Sequence, residues 1–203
     1  TIAGILLVFT AAFKKAYDPF FYKVANESKE IEAKFILEKT NTIYFILILF
    51  ICFSISIFSK ELVLIFFDSN FQPAYEIVPL LCLSYAINKI SGLINLSFYQ
   101  KKNTHTIMYI TVFAALINLI LNYFLILKYG YIGAAYSTLI TCLFIFGFKY
   151  VISKKFYYIK INFTKLLIYI SFFLLVFFLF EKIEVDIIMS IIMKSLFILL
   201  SLL

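Results

Sequence analysis

Long, nearly unbroken apolar runs constrain this chain more than any other feature. A helix needs about 20 mostly apolar residues to cross the hydrocarbon layer of a bilayer. Seven stretches read as spans: 1–13, 43–58 with a semi-apolar extension through 67, 77–98, 106–127, 132–152, 166–180 and 187–203. The first starts at Thr1, which is not a methionine, and the last is still apolar at Leu203. The chain therefore reads as a piece lacking at least an N-terminal part. Strands compete for these runs, since Ile, Phe and Tyr favour them. A membrane barrel strand, however, alternates polar and apolar residues over about 10 positions, and these runs do not alternate. Composition agrees: 64% of residues are apolar and 14% charged, with a mean hydropathy of +1.03. A soluble domain carries about 25% charged residues, so an ordinary soluble domain is excluded, and a disordered chain more firmly still. The expected fold class is all-α, a polytopic transmembrane helical bundle.

The basic residues set the expected topology. All 18 are lysine, and the net charge is +7. Thirteen are assigned to the connections after the first, third and fifth spans: Lys14, Lys15, Lys23, Lys29, Lys34, Lys39, Lys101, Lys102, Lys149, Lys154, Lys155, Lys160 and Lys165. The connections after the second, fourth and sixth carry only Lys60, Lys128 and Lys182. Positive charge concentrates in cytoplasmic loops, so the first set and the C-terminus are expected in the cytoplasm. The polar stretch 14–42 is expected to be a loop, with Pro19 suited to a helix start. Phe20, Phe21, Val24, Ile31 and Phe35, interleaved with Lys and Glu, fit a helix lying at the inner membrane surface or a solvated charged helix equally well. Cys52, Cys82 and Cys142 lie inside apolar stretches and read as small buried hydrophobes.

Polar residues at membrane depth are costly and usually face other helices or a wet cavity. In the third span Tyr85, Asn88, Gly92, Asn95 and Tyr99 recur at three- and four-residue steps, which puts them on one helix face, with Lys89 beside it. Lys89 lies nine residues from Phe98, about 14 Å along a helix axis. An ammonium facing lipid at the bilayer centre costs about 2.5–3.5 kcal/mol or more, so Lys89 should face protein or water. It is either a contact for an anionic substrate or a structural lysine bonded to carbonyls or asparagines. Thr111, Ala115, Asn118 and Asn122 line a face of the fourth span, and the two asparagines favour hydrogen bonds between helices. Gly133, Ser137 and Thr141 make a small-residue face on the fifth, suited to close helix contact. The carboxylates Glu61, Asp68, Glu76, Glu181, Glu184 and Asp186 stand at the outer ends of spans. No Gly-rich phosphate loop, His-Glu metal helix or Gly-x-Ser-x-Gly elbow occurs, and there is one histidine, His105. The chain therefore reads as a non-enzyme, with no cofactor, no metal and no nucleic-acid partner.

The stretch from Ala114 to Ala135 contains Asn118-Leu119-Ile120-Leu121-Asn122-Tyr123, then Tyr129-Gly130, then Gly133-Ala134-Ala135. It resembles the Asn-x-x-x-Asn-Tyr helix, short Tyr-Gly turn and Gly-Ala-Ala helix start of polysaccharide flippases. These are the O-antigen (Wzx-type) and related export proteins of the superfamily that includes the multidrug MATE transporters and the lipid II flippase. Lys15-Ala16-Tyr17-Asp18-Pro19-Phe20-Phe21, Ser59 to Phe67 and Gln100-Lys101-Lys102-Asn103-Thr104 resemble further family segments in the same order. The resemblance covers about residues 1–160. It implies that 1–160 is the C-terminal lobe of a two-lobed transporter, similar to family helices eight to twelve, and that 161–203 adds two C-terminal transmembrane helices. The implied activity is flipping an undecaprenyl-diphosphate-linked oligosaccharide, an O-antigen or capsule repeat unit, from the cytoplasmic to the outer face of the bacterial inner membrane by alternating access. The implied partners are that lipid-linked oligosaccharide, membrane lipids and the polysaccharide polymerase machinery. Lys89, Asn88, Asn95, Asn118, Asn122 and Tyr85 are the candidates for lining the substrate cavity. A cation-coupled multidrug exporter of the same superfamily is the first alternative. A membrane glycan polymerase or acyltransferase is the second.

Overall fold

In the computed structural model, residues 4–66, 74–157, 161–181, 194, 195 and 198 are described. They form seven helices: α1 (Gly4–Glu27), α2 (Glu30–Ile57), α3 (Ser59–Phe66), α4 (Val78–Gln100), α5 (Thr104–Tyr129), α6 (Tyr131–Ser153) and α7 (Phe163–Glu181). There is no strand among the described residues, and the protein is an all-α polytopic bundle. By length and apolarity, Glu30–Ile57, Ala74–Gln100, Thr104–Tyr129 and Tyr131–Ser153 can each cross a membrane. The expected seventh span, 187–203, lies outside the described residues apart from positions 194, 195 and 198.

The expected loop at 14–42 is an αα-hairpin instead. α1 runs on to Glu27 and α2 begins at Glu30, so only Ser28 and Lys29 turn the chain. The polar residues here do not break a helix because they sit on its outer side. Lys14 pairs with Asp18, and Glu30 with Lys34 at 2.6 Å, both one turn apart. Tyr17, Phe21 and Val24 turn inward and are buried with Ala33 and Leu37 of α2. Phe20, Ile31 and Phe35 point outward, Ile31 being 86% exposed, and this split explains the irregular apolar spacing. Pro19 stands inside α1 and not at a helix start. Phe13 stacks on Tyr44 at 4.0 Å between ring centroids, and Tyr17 donates a buried hydrogen bond to Asn41 Oδ1 at 2.5 Å.

Three other expectations change. The second span does not extend to 67, because the chain breaks at Phe58 and restarts as the short α3. The turn after the fourth span is one residue, Gly130, since α5 continues through Lys128 and Tyr129. Lys149 belongs to no connection: it lies within α6 and is buried.

α4 occupies the middle of the assembly, packed between α2 on one side and α6 on the other. α5 covers α6, while α1 and α7 cover α2. Contacts fix the directions. Asn118 meets Thr141 and Asn122 meets Ser137, so α5 and α6 are antiparallel. Asn88 lies 4.0 Å from Cys142 Sγ, and Phe98 meets Phe156 with centroids 5.4 Å apart, so α4 and α6 run parallel. Gln100 at the end of α4 donates to Asn26 near the end of α1 at 2.7 Å. The turns at 28–29 and 101–103 and the end of α6 therefore gather at one end of the bundle, with most of the lysines.

The α5–α6 hairpin depends on two glycines. Gly130 has φ +59, a backbone that L side chains rarely adopt. At Gly133 an added Cβ would stand 2.1 Å from the Leu125 carbonyl oxygen. That atom is backbone and cannot rotate away. Gly133→Ala should lower stability by about 1–3 kcal/mol through overpacking, read as a fall in thermal unfolding temperature in detergent. An unchanged temperature would mean that α5 and α6 do not approach this closely.

Candidate functional site

The polar residues of the described spans fall into three groups with different fates. The first is a closed ring between α5 and α6. Ser137 Oγ donates to Asn122 Oδ1 at 2.5 Å, and Asn122 Nδ2 donates to Asn118 Oδ1 at 2.9 Å. Asn118 Nδ2 donates to Thr141 Oγ1 at 3.1 Å, and Thr141 Oγ1 donates to the Ser137 carbonyl at 2.8 Å. Four side chains thus satisfy one another, which suits small and amide residues at a close helix contact. Asn118 and Asn122 were candidates for lining a cavity. The structure places them in this interhelical ring.

The second group is a buried ion pair at the other end of the bundle. Lys194 Nζ donates to Glu61 Oε1 at 2.5 Å and to the Ile57 carbonyl at 2.9 Å. Both side chains are almost fully enclosed. The pair ties the last stretch of the chain to the break between α2 and α3. No local spacing signals it, since its members are far apart in sequence.

The third group is left open. Along α4, the buried residues Ala86, Ile87, Ile90, Ile94 and Ser97 face the core, while Tyr85, Asn88, Lys89, Gly92, Asn95 and Tyr99 sit on the other side, together with Leu96, which is buried. Asn88 is exposed, Tyr99 is 39% exposed, and Tyr85, Lys89, Gly92 and Asn95 are half-buried. At Gly92 an added Cβ would meet nothing within 4 Å, so this face borders open space. Lys89 Nζ lies over the Tyr85 ring, 5.3 Å from its centroid. It makes no salt bridge among the described residues. A cation–π contact at an exposed site is worth about 0.5–1 kcal/mol, too little to satisfy an ammonium at membrane depth. Asn95 Oδ1 is buried and has no donor. Of the sequence candidates, Tyr85, Asn88, Lys89 and Asn95 are therefore brought together on one face, whereas Asn118 and Asn122 are not part of it.

The other outward faces are unlike this one. α5 presents Tyr109, Phe113, Leu116, Leu119, Tyr123 and Leu127, an apolar surface suited to lipid or to another helix. A polar row on a membrane-crossing helix suits neither, and its natural neighbour is a water-filled cavity. The face carries no nucleophile paired with a base, and α4, α5 and α6 contain no Asp or Glu. No cluster of His, Cys, Asp or Glu among the described residues could hold a metal ion. What the face can do is bind: one cation, amides that donate and accept, and aromatic rings.

The described helices and the open polar row on α4 define part of a helical membrane protein. The MatE family model matches residues 1–124, and the chain belongs to that family. It is also similar to a probable low-salt glycan biosynthesis flippase, Agl15, of Haloferax volcanii. The two are 25% identical over 137 residues, which is 68% of this chain and 29% of that protein. The chain thus spans less than a third of that relative's length. No solved structure matches.

If the α5–α6 ring is structural, Asn122→Leu removes two of its bonds, leaving Asn118 Oδ1 without its donor and Ser137 Oγ with the Ala134 carbonyl alone. The expected cost is about 1–3 kcal/mol of stability, with transport per folded molecule unchanged. Thermal unfolding together with a transport assay normalised to protein amount checks this. A transport defect at normal stability would contradict it.

Proposed function

We propose that the protein acts in flipping a lipid-linked oligosaccharide across a membrane, and that the open face of α4 lines the substrate's path. Membership of the MatE family supports a transporter, and the flippase name of the Haloferax relative supports a glycan carrier as cargo. The observation that carries the reading is Lys89, an ammonium on an open polar face of a membrane-crossing helix. A sugar diphosphate headgroup cannot cross hydrocarbon unaided. It needs a wet route with a cation for its phosphates and hydrogen-bonding groups for its hydroxyls. Lys89 supplies the first, and Asn88, Asn95 and Tyr85 supply the second. The cargo is an undecaprenyl-diphosphate-linked repeat unit, carried from the cytoplasmic to the outer face of a bacterial inner membrane by alternating access. The lysine-rich end of the bundle faces the cytoplasm, and the polysaccharide polymerase receives the product on the outer side. A cationic drug would meet repulsion at Lys89 and no carboxylate on α4, α5 or α6, which weighs against a multidrug exporter.

Lys89→Ala in the full-length protein should reduce glycan export about tenfold or more, the loss expected when one charged hydrogen bond to the substrate disappears. Abundance in the membrane should not change. Export can be measured as surface glycan in cells that depend on this protein, with protein amount read by immunoblot. Normal export at normal abundance would remove Lys89 from the path, and loss of drug resistance without loss of glycan would favour the multidrug exporter.

A further inference from the structure

A second cation lies close to the same face. Lys149 of α6 is 7% exposed, and it has no acidic or hydrogen-bonding partner among the described residues. Register shows what stands opposite it. α4 and α6 run parallel, with Asn88 of α4 against Cys142 of α6. Two helical turns further on each helix, on the same faces, come Asn95 and Lys149. The contact of Phe98 with Phe156 beyond them confirms that the two helices stay side by side. Asn95 Oδ1 is one of several buried polar atoms without a partner, and it lies on this side of α4. The Lys149 and Asn95 positions, whose side chains do not bond each other, therefore stand level at one seam. Gly92, one turn earlier, opens that seam to free space.

Each group asks for a different partner. The Lys149 stem is buried while its Nζ is not among the enclosed atoms. An ammonium that can reach a ligand and has no carboxylate calls for an anion, and an amide oxygen without a donor calls for a hydroxyl or N–H. One ligand that offers both is a sugar phosphate. We propose that Lys149 and Asn95 form a second polar station on the substrate path, where Lys149 holds a phosphate oxygen and Asn95 Oδ1 accepts from a sugar hydroxyl. This rests on the flippase reading above. The station lies about 9 Å along the axis from Lys89, nearer the lysine-rich end. A diphosphate headgroup moving inward would meet Lys149 first and Lys89 second, so it would not be stripped of cationic partners in between.

The test uses the full-length protein in detergent and two probes: a polyprenyl diphosphate bearing one N-acetylglucosamine, and the same polyprenyl diphosphate without sugar. Lys149→Met should weaken binding of both probes about tenfold or more, while Lys149→Arg stays within about threefold because the charge remains. Asn95→Leu should weaken only the sugar-bearing probe. Wild-type binding combined with unchanged binding by Lys149→Met, at an unchanged unfolding temperature, would overturn the station and leave the flippase reading standing. That is the outcome if the lysine stem merely carries its ammonium to the membrane surface. Should Lys149→Met fail to fold, Asn95→Leu decides alone, and an equal effect on both probes, or none, overturns the station. If the unaltered protein binds neither probe, the flippase reading falls, and the station with it.

Discussion

Inside hydrocarbon there is no water to satisfy a polar group, so each one must find its partner within the protein or border a wet space. This requirement organises the molecule. Asn118, Asn122, Ser137 and Thr141 meet it by closing a ring between α5 and α6. Glu61 and Lys194 meet it as an enclosed ion pair. Among the described residues, Lys89 has only a ring beneath its ammonium and Asn95 has a bare carbonyl oxygen. Other buried polar atoms, among them Asn41 Nδ2, Ser91 Oγ and Ser97 Oγ, also lack a partner, so what sets α4 apart is that Tyr85, Asn88, Lys89 and Asn95 share one face.

The packing explains how such a row survives. α4 buries one face against α2 and α6 with Ala86, Ile90, Ile94 and Leu93, which is enough apolar contact to hold the helix in place. Its polar row runs beside the α6 contact, where Asn88 meets Cys142, and the apolar contact on the other sides holds the helix while that row stays polar. The α5–α6 hairpin, tightened by Gly130 and Gly133, supports α6 from behind. That support fixes α6 in parallel register with α4 and brings Lys149 level with Asn95.

Much of this was legible in the sequence because the bilayer imposes a length on apolar runs. The spans at 77–98, 106–127 and 132–152 agree with α4, α5 and α6 to within a few residues. The polar stripe of α4 could be read from three- and four-residue steps, since a helix puts such residues on one face. The close α5–α6 contact was legible in Gly133, Ser137 and Thr141 for the same reason. What escaped lay where hydropathy stops being informative. The α1–α2 hairpin extends past its apolar stretches, and its polar residues resemble a loop until Tyr17, Phe21 and Val24 are seen to share an inner face. Lys149 sits near a basic connection and was grouped with it, although Cys142, two turns earlier on the same face, was a signal that it turns inward. The Glu61–Lys194 pair joins residues 133 positions apart, which no local pattern could connect.

The central claim is that the polar face of α4 borders water within the membrane. Cysteine substitution along α4 in the full-length protein, probed with a small charged thiol reagent, tests it most directly. The native Cys52, Cys82 and Cys142 are buried and serve as the background. Asn88→Cys, Gly92→Cys and Asn95→Cys should react, and Ile87→Cys, Ile90→Cys and Ile94→Cys should not, giving a helical period. Protection of all six positions, or reaction without that period, would contradict a wet path along α4.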